Sequence, residues 1–258
     1  MNYYHYHELG PDQLEKICAQ TPVIFWPLGL LEHHGWHLPV GFDGIKAERL
    51  SQRIALKTGG VILPTFWWGS LGGHGHFKWT LYQNTQSSAR IIQDTLKKLI
   101  RFGFKVIVLV AGHYPYEEIL RPLIRTLKKS HRKILFLWGS ERTLAGSRLK
   151  IPGDHAAAWE TSYGLSLLPE WIRLQVLKSG RGPEVWPQNR AATNTKHYPA
   201  LQTDPHSPLF AQLGKDPRHF ASKARGEKYL NPLVTVLSQQ IKFFLNPGRS
   251  PARLNQNH

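Results

Sequence analysis

Val23-Ile24-Phe25-Trp26-Pro27 leads, past Gly29, into Glu32-His33-His34-Gly35-Trp36-His37-Leu38-Pro39-Val40-Gly41-Phe42-Asp43, and the rest of the chain is read from this stretch. Its first part is a short apolar run of the kind a buried strand presents. Gly29 marks a turn, and Glu32 falls just past the strand end. Open α/β sheets gather their sites in the crevice beyond the carboxyl ends of the strands. The second part packs a carboxylate, three imidazoles and a second carboxylate into a dozen residues. Hard anionic oxygen mixed with borderline imidazole nitrogen suits Zn, Mn or Fe better than Mg or Ca, which prefer oxygen alone. Gly35, Pro39 and Gly41 argue against a continuous helix, so the segment can fold back and bring Glu32, His34 and Asp43 together. Asp43 also precedes a helical pattern at Ile45-Lys46-Ala47-Glu48-Arg49-Leu50 and is equally a candidate helix cap. A single histidine is more commonly a surface or core residue than a ligand; it is the cluster that favours a metal site.

Outward from this stretch, strands and helices alternate. Gly10-Pro11-Asp12 opens a helix through Gln20, with Leu14, Ile17 and Cys18 on one face. A helix is expected over about 44–57, stopped by Gly59-Gly60, and a strand over 61–64. Residues 67–80 hold three tryptophans and two histidines among several glycines, which predicts a loop. That loop is either an aromatic patch against another subunit or a pocket wall with His74 or His76 near the site. Residues 87–102 form a strongly amphipathic helix ended by Gly103. A buried, parallel strand over 104–110 then runs into Ala111-Gly112-His113-Tyr114. A helix over 116–130, weakened by Pro122, and a strand over 134–138 follow.

Asp154 is a candidate N-cap for an alanine-rich helix beginning His155-Ala156-Ala157-Ala158-Trp159-Glu160. His155 and Glu160 are five residues apart, so one pocket can receive both only over the helix N-terminus, where the dipole favours an anion. Residues 179–218 are read as an ordered surface excursion, a lid or an oligomer arm, residues 230–245 as a final helix, and 246–258 as a disordered basic tail. The alternation reads as α/β, and by length the chain could hold one large domain or two small ones.

Composition sets the outer bounds. The chain has 258 residues, 41% of them hydrophobic, which is enough for a real core. No basic-then-apolar leader and no run approaching the ~20 apolar residues of a membrane helix is seen. A lone Cys18 points to a reducing cytoplasm. The formal charge of +16 attracts nucleic acid, acidic lipid or an anionic substrate. The basic residues sit mostly on helical faces, and no nucleic-acid motif is present, so a nucleic-acid scaffold is the minor alternative.

The stretch 31–43 resembles the signature of the creatininase family, E-Q-H-G-P-H-L-P-x-x-T-D. Glu32, His34, Gly35, His37, Leu38, Pro39, Gly41 and Asp43 are kept, while His33, Trp36 and Phe42 depart. Gly69, His74, Phe77 and Thr80 fit a related family loop in which Lys78 and Trp79 replace Pro and Gly. Gly112-His113 matches its strand followed by G-H. Asp154, His155, Ala156, Glu160, Thr161 and Ser162 match D/E-H-A-G-x-x-E-T-S, and Gly214-Lys215-Asp216-Pro217 its closing G-D-P.

The resemblance implies two divalent ions per chain bridged by Asp43, one held also by Glu32 and His113, the other by His34. The ions share a water that attacks an amide-type C–N bond, and His155 handles protons at the leaving nitrogen. In creatininase proper a glutamate two residues after the G-H histidine completes the second ion's shell; here that position is Pro115. By analogy with other branches Glu160 takes its place, with Glu117 a weaker substitute. His37, Trp68, His74, Tyr114 and Asp154 are expected around the substrate. The resemblance further implies a single three-layer α/β/α domain over 1–245 with a mostly parallel sheet, a small amide, cyclic amide or formamide substrate, anionic if the basic composition is a guide, and a homo-oligomer, commonly a hexamer. The alternative is a catalytically silent homologue that binds a ligand or a partner.

Overall fold

The computed structural model describes residues 2–70, 72, 74–75, 77–178, 201–204 and 206–247. Among them are strands β1 (Tyr3–His5), β2 (Val23–Leu28), β3 (Gly60–Ile62), β4 (Val106–Ala111) and β5 (Leu135–Gly139). They form one sheet in the order β1-β3-β2-β4-β5, and every pair is parallel. β2 and β4 are buried along their whole length and lie side by side at the centre, Val23 opposite Val106 through Leu28 opposite Ala111. Their unbroken apolar runs follow from burial on both faces. Val23, Phe25, Val106, Val108 and Val110 point to one core; Ile24, Trp26, Leu28, Ile107, Leu109 and Ala111 point to the other.

The helices are α1 (Pro11–Gln20), α2 (Phe42–Thr58), α3 (Thr85–Arg101), α4 (Tyr116–Ser130), α5 (Ala158–Leu167), α6 (Pro217–Phe220) and α7 (Lys223–Leu245). Residues of α2, α5 and α7 build the first core, and those of α3 and α4 the second. The result is the expected α/β/α layering, with a sheet that is wholly rather than mostly parallel.

β3 lies on one side of β2, and β4 on the other. The chain therefore leaves β2 in one direction and returns on its opposite flank, which opens a crevice at the carboxyl ends of β2 and β4. The first turn of α2 is wedged into this crevice, and two glycine contacts make room for it. A Cβ on Gly112 would lie 1.9 Å from the Asp43 carbonyl oxygen, and one on Gly29 would lie 2.3 Å from Gly44 Cα. The strand ends thus clamp the turn that carries Asp43.

Several local expectations shift. β1 was not anticipated, because three half-polar edge residues give no usable periodicity. Asp43 lies inside the first turn of α2, and Gly41 is the N-cap. α7 starts seven residues before the expected boundary, because the Ser222 side chain accepts the Arg225 N–H and sets the start. Of the excursion, 201–204 and 206–218 pack back onto the domain, with Phe210 and Ala211 buried. His76, residues 179–200 of the excursion and 248–258 of the expected tail lie outside the described residues. No helix among the described residues is long and apolar enough to cross a membrane.

Candidate metal centre

The loop after β2 supplies Glu32 and His34, the first turn of α2 Asp43, the end of β4 His113 and the first turn of α5 Glu160. All five are buried. His113 Nδ1 lies 3.2 Å from Glu32 Oε2 and 3.2 Å from Asp43 Oδ2. His34 Nε2 lies 3.1 Å from Asp43 Oδ1 and 3.7 Å from Glu160 Oε2. Asp43 thus turns one oxygen to each ring. Glu32/Asp43/His113 and His34/Asp43/Glu160 each offer ligand atoms within 4.8 Å of one another.

The His34 tautomer is fixed. Its Nδ1 donates to the Glu32 carbonyl oxygen at 3.1 Å, which can only accept, so in the neutral ring Nε2 carries the lone pair. Buried His34 Nε2 and Asp43 Oδ2 make no hydrogen bond of good geometry, in spite of the short approaches of His113 and Asp43. A cation suits such a place. Anionic oxygen and imidazole lone pairs converge there, and no protein donor is correctly aimed at the two orphaned atoms.

Charge is tightly coupled here. Burial resists protonation of His34 and His113, but the facing carboxylates prevail, Asp43 foremost for His34 and Glu32 for His113. Their pKa values rise to about 9 and about 10. Against its own burial, Glu32 is held below the usual range by His113, and Asp43 well below by His34 and His113. Divalent ions would replace protons between the same groups, so uptake releases protons and weakens in acid. Tyr82, not singled out by any motif, donates its hydroxyl to Glu32 Oε1 at 3.1 Å and accepts the His74 N–H at 3.2 Å.

Glu160 is held on both oxygens. Oε2, the one facing His34, accepts the Ala156 N–H at 2.8 Å, and Oε1 takes Lys46 Nζ at 3.0 Å. Lys46 is completely buried, also reaches Glu141 Oε1 at 3.3 Å, and lies over the rings of Phe42 and Tyr114. Burial works against its charge, yet Glu141 and Glu160 raise its pKa. Tyr114 completes the group by donating to Glu141 Oε1 at 2.7 Å. Sequence reading missed this network, although Lys46 sits on the inward stripe of α2 with Asp43, Ala47 and Leu50. Lys46→Met should destabilise the metal-free protein by about 3–5 kcal/mol, because it leaves two buried carboxylates uncompensated. Urea unfolding would measure it, and an unchanged midpoint would show that the pairs contribute nothing.

The other expected residues divide into two groups. His74, Tyr114, Asp154 and His155 line a cavity of about 460 Å³ above Glu32, Asp43, His113 and Glu160. His37 and Trp68 do not line it. His37 is buried with Nε2 2.7 Å from Thr161 Oγ1, tying the first signature to α5, and Trp68 is exposed. Asp154 precedes α5 by four residues but accepts the N–H groups of Trp159 at 2.7 Å and Glu160 at 3.0 Å, so it caps from outside the helix. Burial, then Glu160, raises its pKa to about 7. α5 begins only after Ala156, whose φ of 49° breaks the backbone; His155 thus stands outside the helix and reaches the cavity beside Glu160.

His155 Nε2 lies 3.1 Å from the His33 carbonyl oxygen, and the ring stacks on His74 at 3.6 Å between centroids. Burial, then His34, keeps its pKa well below the usual histidine value. Pro115 lines the cavity without a ligand atom. Glu117 Oε1 accepts Ser140 Oγ at 2.7 Å and Thr143 Oγ1 at 2.6 Å, which ties it to the turn after β5 rather than to the centre.

With this geometry in place, comparison with known proteins is direct. The profile of the family described as "Creatininase: Creatinine amidohydrolase" matches residues 7–241. A creatinine amidohydrolase of Pseudomonas putida is 25% identical over 180 residues, 62% of this chain and 69% of that protein. A 2-amino-5-formylamino-6-ribosylaminopyrimidin-4(3H)-one 5'-monophosphate deformylase of Methanosphaera stadtmanae is 27% identical over 139 residues, 53% of this chain and 55% of that protein. Two solved structures, a manganese creatininase and a zinc–zinc creatininase variant, share the fold at 22% identity and TM-score 0.70, covering 95% and 96% of this chain and 100% of their own. A family match over nearly the whole sequence, on the fold and with the carboxylate–histidine floor described above, places this chain in the creatininase family of amidohydrolases.

Proposed function

We propose that the chain is a dinuclear metal-dependent hydrolase of an amide-type C–N bond in a small molecule, with residues 1–245 as its single domain. The observation that carries this reading is Asp43, whose two oxygens face two different histidines, each backed by a further carboxylate. Glu32, Asp43 and His113 would hold one ion; His34, Asp43 and Glu160 would hold the other. Bound there, Zn, Mn or Fe supplies a nucleophilic hydroxide near neutral pH and polarises a carbonyl.

The chain's own residues supply the rest. His34 is oriented by its Nδ1–H bond to the Glu32 carbonyl. Glu160 keeps Oε2 toward His34 because Lys46 holds Oε1, and it thereby fills the place that Pro115 leaves empty. His155 stays neutral with Nε2–H on the His33 carbonyl, so its Nδ1 is the atom that takes a proton and returns it to the leaving nitrogen. A cavity of about 460 Å³ fits a small molecule. Pro115 sets the site apart from creatininase proper and favours another amide, such as a formamide. A reducing cytoplasm and a homo-oligomer, a hexamer by family analogy, belong to the same reading.

Metal analysis of the purified chain, before and after chelation and reconstitution, tests it. About two ions per chain are expected, and a chain that takes up none would overturn the reading. Glu160→Gln should retain about one ion instead of two, since only one of the two shells loses a ligand. An unchanged stoichiometry in that variant would remove Glu160 from the centre.

A further inference from the structure

Two cavity-lining groups have no part in the chemistry above. Arg121, in α4, and Arg142, in the turn after β5, stand where the cavity opens to solvent. The arginine–carboxylate pairs among the described residues belong to Arg49, Arg90 and Arg218, so neither rim guanidinium is neutralised by an ion pair. Both are nevertheless held in place. The Arg142 guanidinium lies 5.3 Å from the Tyr114 ring centroid, and that ring is anchored through its hydroxyl to Glu141. The Arg142 stem also rests on the bare backbone of Gly153. A Cβ at Gly153 would lie 2.4 Å from Arg142 Cδ and 3.0 Å from its Nε. Arg121 stacks over Trp138 at 5.9 Å. Of the nearby acids, Glu117 is committed to Ser140 and Thr143, and Glu118 is the rim carboxylate that makes no hydrogen bond or ion pair with the described residues.

A guanidinium fixed by stacking loses little freedom when it binds, and its planar fork matches the two oxygens of a phosphate or carboxylate. We propose that Arg142, with Arg121, is the specificity-determining pair of this site and binds the anionic end, phosphate or carboxylate, of a small amide whose C–N bond lies over Glu32, Asp43 and His113. The proposal rests on the hydrolase reading for the rest of the substrate. The net charge of +16 acts in the same sense, because it draws anions to the protein before they meet the rim.

The test is calorimetric titration of the metal-loaded full chain with phenyl phosphate, with benzoate, and with benzyl alcohol as the neutral control. Wild type is compared with Arg142→Ala, Arg142→Lys and Arg121→Ala, each checked for unchanged metal content and melting. Phenyl phosphate also binds metal ions, so the variants rather than the absolute affinity decide. Arg142→Ala should weaken one or both anions roughly tenfold or more, the size of a charge-assisted bidentate contact, and Arg142→Lys should recover only part of it. Whichever of phenyl phosphate and benzoate loses more identifies the anion. Affinities for both within twofold of wild type in Arg142→Ala and in Arg121→Ala would overturn the proposal. Hydrolysis of uncharged formanilide by wild type is read separately. Turnover without arginine-dependent anion binding sinks the rim pair alone. Arginine-dependent binding with no metal uptake sinks the hydrolase reading and leaves an anion site.

Discussion

Asp43→Ala should leave the chain unable to hold either ion. Every other proposed ligand serves one position, so its loss should cost one ion; Asp43 lies 3.1 Å from His34 and 3.2 Å from His113 through separate oxygens. Loss of an outer-shell partner already lowers metal affinity by roughly 10–100-fold. Losing a ligand common to both shells should exceed that at each position and take hydrolysis to background. Elemental analysis and activity after reconstitution check it, with Glu32→Ala as the contrasting single-position variant. A variant at position 43 that still carries both ions would show that the two positions do not share a carboxylate.

His155→Gln should behave in the opposite way, keeping its metal and losing its rate. General acid–base groups contribute about 10²–10⁴-fold, and a fall in kcat of that size is expected on any amide that the unsubstituted chain hydrolyses. The pH dependence has a definite sign. Burial, then the charge on His34, lowers the His155 pKa well below 6.5, and bound cations would lower it further. The ring therefore keeps its proton-accepting nitrogen throughout the neutral range, and kcat should not fall near pH 6.5 through protonation of His155. A variant with unchanged kcat, or one that loses metal in step with activity, would take His155 out of the proton path.

The sheet was legible because its central strands are buried on both faces, and burial on both faces writes an unbroken apolar run at 23–28 and 106–111. Asp43 and His113 were legible for a related reason, because one opens a helix and the other follows a strand end, where local sequence fixes position; Glu32 and His34 stood out by the crowding of ligand types in one loop. Lys46, Tyr82 and Glu141 were not, since each matters through a partner far along the chain and carries no local mark. His37 belongs to the signature yet turns to Thr161, because the loop bends at Gly35 with φ of 63° and alternation no longer predicts direction. The pairing of His155 with Glu160 depended on a helix start that the positive φ at Ala156 delays.

The wedge of α2 between the two strand ends has a wider consequence. Asp43 is mounted on a helix turn pressed backbone to backbone against the strand ends, whereas much of the cavity wall comes from connecting segments that carry His74, Arg142, Asp154, His155 and Leu213. Changes in those segments that spare His155 would alter which molecules are admitted and leave the proposed ligands in place.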